Sequence, residues 1–127
     1  MRLLVCGGRD CTDQKLVSNE ISAELGAIAY IGGGADVVII HGGAKGADYC
    51  AGKFAEQFDL ECEEFHADWK QFGRAAGHVR NAEMLKEGRP SRVLAFWDGK
   101  SKGTLHMVTT AAAARLSVRI VPYTKEG

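Results

Sequence analysis

The sequence predicts an α/β protein: a Rossmann-like, three-layer α/β/α domain on a mostly parallel sheet of about five strands. Three observations predict it. Short apolar runs alternate with segments of helical period along the whole chain, as repeated strand–helix units do. The runs themselves are almost continuously apolar, which marks strands buried on both faces. Glycine-rich text follows three of them: "CGGRD", "HGGAKGAD" and "WDGKSKGT".

Taken in order, Leu3 to Cys6 is the first strand, ended by Gly7 and Gly8. Asp13 is placed to cap a helix whose apolar residues Val17, Ile21, Leu25 and Ile28 share one face. The tract "YIGGGAD" breaks that pattern and, because it precedes a strand, reads as a flexible connection. Val37 to Ile40 is the second strand, after which Ala47, Ala51, Phe54 and Phe58 recur at helical spacing. Glu61 to His66 makes a weaker strand, since Cys62 and Phe65 supply little apolar density. "ADWKQFGRAAG" is expected as a long loop and Val79 to Glu87 as a helix. "RVLAFW" is the fourth strand, Leu105 to Leu116 an alanine-rich buried helix, and "VRIVPY" the last strand, closed by Pro122. Right-handed crossovers then lay helices on both faces of the sheet.

At 127 residues the chain suits a single domain, 1–127, with one sizeable core. Sixteen basic residues balance sixteen acidic ones, so no summed field draws it to nucleic acid or an anionic membrane. No apolar run approaches the roughly 20 residues of a membrane span. No signal-peptide pattern precedes the first strand, and Cys6, Cys11, Cys50 and Cys62 form no CxxC pair, so reduced thiols in a cytoplasm are expected. These cysteines, with His41, His66, His78 and His106, show none of the paired spacings of a zinc site, and no metal is expected.

Ligands of open parallel sheets bind outside the carboxyl ends of the strands, so the three glycine-rich stretches converge on one edge. The first supplies Gly7, Gly8, Arg9 and Asp10; the second Gly42, Gly43, Ala44, Lys45, Gly46 and Asp48; the third Asp98, Ser101, Gly103 and Thr104. The second and third lead straight into helices, whose first turns offer unpaired N–H groups and the positive end of the dipole. Phosphate oxygens are therefore the expected visitors, with tight strand-to-helix packing as the other reading of the glycines. Neither stretch is a GxGxxG or P-loop fingerprint.

Each side chain carries its alternatives. Arg9 can fork onto a phosphate or pair with Asp10 or Asp13. Lys45 can approach a phosphate or stay solvated, and Asp48 can hold a sugar hydroxyl or cap the loop. His41, at the strand end, reads as a satisfied core histidine. Trp69 can stack on a base or close the core. Gly77 lets its helix approach the edge, where Arg80 and Asn81 would present a charge and an amide. Asp98 can bond Ser101 or cap the next helix.

"GGRD", "HGGAKGAD", "ADWKQFGRAAGHVRN" and "DGKSKGT", in this order, resemble the YspA/YpsA-related (DUF2493) branch of the SLOG superfamily of Rossmann-like nucleotide-binding proteins. The resemblance covers nearly the whole chain. It implies a pocket for a nucleotide or a nucleotide-derived small molecule, such as an ADP-ribose derivative, with no required cofactor and a possible homodimer. It also implies two alternatives: nucleoside-monophosphate phosphoribohydrolysis of the LOG type, and single-stranded DNA binding like that of DprA. The enzymes of the superfamily carry PGGxGTxxE after the fourth strand. Laid on this chain, their upstream arginine falls on Arg80, the Gly-Thr pair on Gly103 and Thr104, and the acidic position on His106 or Met107. Neither can supply the negative charge that steadies a ribosyl cation, so the expectation is a binding protein with no catalytic residue.

Overall fold

The computed structural model describes residues 1–29 and 36–124, and of residues 27–29 only the backbone. The expected connection "YIGGGAD" falls almost wholly outside the described residues, as does the side chain of Ile28. The elements are β1 (Arg2–Gly7), α1 (Gln14–Ala29), β2 (Val38–His41), α2 (Ala47–Gln57), β3 (Glu61–Glu64), α3 (Trp69–Phe72), α4 (Ala76–Gly88), β4 (Arg92–Trp97), α5 (Lys102–Ala113) and β5 (Ser117–Pro122). All four strand pairings are parallel, in the order β3-β2-β1-β4-β5. This is the Rossmann-like α/β architecture expected from the alternation of apolar runs.

The strand pleat divides the core in two. Leu3 and Val5 face Val17 and Ile21 of α1 and Ala51 and Phe54 of α2. Leu4 and Cys6, pointing the other way, meet Met84 of α4 and Met107 and Ala111 of α5. With both faces covered, alternate residues have no polar side to serve, which explains the unbroken apolar runs. Burying each such Val, Leu or Ile contributes roughly 1.5–3 kcal/mol. β3 lies at one edge and is largely exposed, so its text "ECEE" carries little apolar signal. No helix among the described residues is long and apolar enough to cross a membrane.

Several boundaries differ from expectation, each for a local reason. "ADWKQFGRAAG" is mostly helical, not a loop: the Asp68 carboxylate accepts the Gln71 amide at 3.1 Å and starts α3. Gly73, at φ 55°, ends it and opens a 3-10 turn into α4. The sequence hid this helix because Trp69 and Phe72 are exposed and α3 buries nothing. α4 thus begins three residues before Val79. α5 spans Lys102–Ala113 instead of 105–116, because Ser101 caps its start and Arg115 adopts a left-handed φ of 64° just past its end. β3 stops at Glu64, two residues short of His66, and β2 extends by one to His41, which pairs in register with Glu64.

Gly7 shows how tightly the sheet edge is joined to the helix that follows β2. A Cβ there would stand 2.6 Å from Ala47 Cβ and 2.8 Å from the Phe96 carbonyl oxygen. Gly7→Ala is expected to destabilise the protein by about 1–3 kcal/mol through overpacking, with the urea midpoint falling and the slope unchanged. An unchanged midpoint would show that β1 and α2 can separate freely.

Candidate functional site

The strand order reverses between β1 and β4, and ligands of doubly wound sheets lodge at such switch points. A cavity of about 490 Å³ opens there, at the carboxyl ends of those two strands. It gathers residues from all three glycine-rich stretches and from the segment around α3 and α4. Gly7, Gly8, Arg9, Asp10, Ala44, Asp48, Trp69, Gly77, Arg80, Asn81, Asp98, Ser101, Gly103 and Thr104 all line it. Of the other expected residues, Gly42, Gly43 and Lys45 line an adjoining cavity that shares Arg9, Ala44, Trp69 and Arg80. Gly46 lines neither of the two.

The second glycine stretch is shaped by the chain's own groups. Asp48, buried in the first turn of α2, accepts the amides of Gly42 and Ala44 on a single oxygen, at 3.1 and 3.2 Å. The Gly43 amide donates to His41 Nδ1 at 3.0 Å. A side chain at Gly42 would meet the Arg80 guanidinium at 2.6 Å, and one at Gly43 would meet the His66 ring at 2.5 Å. Gly46, at φ 80°, would bring a Cβ to 2.3 Å from the Gly8 carbonyl. That carbonyl already accepts the amides of Cys11 and Ala47. So close main-chain packing explains these glycines by itself, and the loop's anion is the Asp48 carboxylate.

Burial dominates the electrostatics at Asp48. Desolvation pushes its carboxyl up from 3.8 to about 6, against the opposing pull of the Ala44 amide, Arg80, the Gly42 amide and Arg9. Arg80, on α4, donates through Nη1 to the Gly42 carbonyl at 2.7 Å and through Nε to Asn81 Oδ1 at 3.2 Å. Burial lowers its pKa, and the nearby Asp48 partly restores it. Asn81 passes the connection on, donating to the Gly103 carbonyl at 3.2 Å with His106 Nδ1 at the same distance. α4 and α5 are thereby tied together at the cavity wall.

The third stretch is a capped helix start. Asp98 accepts the amides of Lys100 and Ser101, both at 2.8 Å, and Ser101 accepts the Thr104 amide at 3.4 Å. Both readings of Asp98 therefore meet: it bonds Ser101, which itself caps α5. Asp10 accepts the Tyr123 hydroxyl directly above Gly8. Trp69 is 49% exposed and sits at the rim instead of closing the core, with the Arg9 guanidinium 5.7 Å from its ring centroid.

Five further residues line the cavity without having been expected as ligand contacts: Cys6, Arg74, His78, Met84 and Met107. Cys6, Met84 and Met107 are buried in the core beneath the cavity, a role their apolar context alone does not separate from packing. Arg74 lies within the segment read as a loop, so no helical phase aimed it anywhere. His78 stacks on His106, with ring centroids 3.9 Å apart. Met107 is fully buried, and α5 contains no carboxylate. Glu83 is exposed and does not line the cavity, which leaves Asp10, Asp48 and Asp98 as its carboxylates.

Strand order and cavity position together define a Rossmann-like α/β protein. The chain belongs to the YspA, cpYpsA-related SLOG family, whose model matches residues 1–72. It is 36% identical over 122 residues to the Gene 61 protein of Mycobacterium phage D29, covering 92% of this chain and 93% of that one.

Asp48 makes the site pH-sensitive in a definite direction. Its carboxyl holds a proton more firmly in the folded chain than in the unfolded one, so between about pH 4 and pH 6 the folded state binds more protons. Stability therefore falls as pH rises through that window, by roughly 2–3 kcal/mol from this group. Asp48→Asn keeps an oxygen for the Gly42 and Ala44 amides but has no proton to lose. Urea unfolding from pH 4 to 7 is expected to show that component of the decline in the native protein and its loss in the variant. Parallel pH profiles would mean that Asp48 titrates as an ordinary exposed carboxyl.

Proposed function

We propose that the switch-point cavity binds a nucleotide or a nucleotide-derived small molecule. The observation that carries this reading is the convergence of Arg9, Arg74 and Arg80 on one concave site. A partly desolvated guanidinium such as Arg80 attracts phosphate more strongly than one in open water, and it can do so bidentately. The half-exposed indole of Trp69 offers a face for a base, while Asp10, Asp98 and Ser101 offer partners for sugar hydroxyls and ring amines. The loop amides that would otherwise cradle phosphate serve Asp48, so the arginines bear the anion and the glycines set where Arg80 lies.

Binding without turnover is the reading that fits this chemistry best. Hydrolysis of an N-glycosidic bond needs an ionised carboxylate against the ribosyl cation, and the α5 turn provides His106 and Met107 in its place. Asp48 is the buried carboxylate nearest that task, but the Gly42 and Ala44 amides already engage it.

A thermal-melt panel of AMP, ADP and ADP-ribose tests the proposal. At least one is expected to raise the melting temperature in a concentration-dependent way, since a ligand that prefers the folded state stabilises it by mass action. Arg80→Ala is expected to weaken that ligand by about 10- to 100-fold, as loss of a charged hydrogen-bond donor does. Chromatography of the same mixtures is expected to show no free base above background. Failure of every nucleotide to shift the melting curve would overturn the proposal, and base release lost in Arg80→Ala would replace it with an enzyme.

A further inference from the structure

The adjoining cavity, of about 510 Å³, continues the switch-point cavity along the sheet edge. It reaches Lys45, which follows β2, and His66, which follows β3, while Arg9 and Arg80 belong to the wall common to both cavities. The charges divide between the two. The switch-point cavity carries the carboxylates Asp10, Asp48 and Asp98, whereas the ionisable side chains lining the adjoining one are Arg9, Lys45, His66 and Arg80, with no carboxylate among them.

The glycine stretch seats two of these four groups. A Cβ at Gly42 would strike the Arg80 guanidinium, and one at Gly43 would strike the His66 ring. The bare main chain is thus a floor for a guanidinium and an imidazole over adjacent residues. Glu64, behind the imidazole, holds it in place: an ionised carboxylate can only accept, so His66 Nε2 donates to Glu64 Oε2, at 3.0 Å.

The cations have no direct counter-charge. Among the described residues Arg9, Lys45 and Arg80 make no ion pair. Burial does most to loosen the Arg80 proton; Asp48, behind the loop, opposes this, and the charge of Arg9 adds to it. Holding like charges around one concavity costs electrostatic free energy, and an anion between them removes that cost. The amides of Gly42, Gly43 and Ala44 are already engaged inside the loop, so side chains have to supply the contacts.

We propose that the adjoining cavity holds a second phosphate, so that the site selects nucleotides bearing a diphosphate over nucleoside monophosphates. This rests on the reading of the switch-point cavity as a nucleotide site. The nucleoside then lies among the carboxylates and Trp69, the first phosphate at the wall shared by Arg9 and Arg80, and the second toward Lys45 and His66. Each phosphate oxygen that meets a cation gains a charge-assisted contact. A monophosphate reaches only the shared wall and leaves Lys45 and His66 unused. A terminal diphosphate and one that bridges two sugars present the same chemistry.

Calorimetric titration of the full chain with AMP, ADP and ADP-ribose, in the presence of a chelator, tests the proposal. ADP, ADP-ribose or both are expected to bind about tenfold tighter than AMP or better, as an added charged hydrogen bond provides. ADP alone exceeding AMP assigns a terminal diphosphate, and ADP-ribose matching or exceeding ADP assigns a bridging one. Lys45→Ala and His66→Ala are each expected to weaken the diphosphate ligand by about five- to tenfold and AMP by less than about twofold. Both residues are exposed, so the variants are expected to fold, and circular dichroism checks it. AMP binding as tightly as either diphosphate, or variants that weaken AMP and the diphosphate alike, would overturn the second-phosphate site. In those cases AMP binding that Arg80→Ala weakens would leave the nucleotide reading standing. No binding by any of the three would remove both.

Discussion

The contact on which the site depends is the one between the Asp48 carboxylate and the amides of Gly42 and Ala44. It folds the main chain back over the first turn of α2. That exposes the Gly42 carbonyl to Arg80 and seats Gly46 against Gly8. Three elements far apart in sequence are thereby held at one edge: the end of β1, the start of α2 and the first turns of α4. The local cost is a carboxylate taken out of water, which shows as its raised affinity for a proton. Helix starts commonly favour a negative charge, and here the chain supplies its own.

Much of this architecture is legible in the sequence because two-sided burial leaves a plain trace. Leu3 to Cys6, Val38 to Ile40 and Val93 to Trp97 are apolar without interruption because helices cover both faces of the central strands. The edge strand β3 leaves a weak trace for the opposite reason. α3 leaves none at all, since a four-residue helix with exposed aromatics has no periodic face to read. Its start depends on one side-chain bond from Asp68, a contact that many loops also make.

The site was legible in its parts more than in its logic. Glycines after strands located the edge, and fourteen expected residues do line the cavity. What the chain text cannot show is which partner a close main-chain approach serves. Gly42, Gly43 and Gly46 suggest an incoming phosphate equally well as an arginine, a histidine ring and a neighbouring carbonyl, and the structure holds the latter three. Gly43 has its amide on His41 and its Cα beneath the His66 ring.

The open edge of β3 also bears on how copies of this chain meet. Of its four residues three are glutamates, so two such edges brought side by side would set like charges against each other, which deters sheet-to-sheet extension. At the opposite edge β5 ends in Pro122, which has no amide hydrogen to offer a neighbouring strand. Self-assembly by strand addition is thus discouraged at both margins. The charged and proline-bearing margins guard the ladder that aggregating sheets exploit.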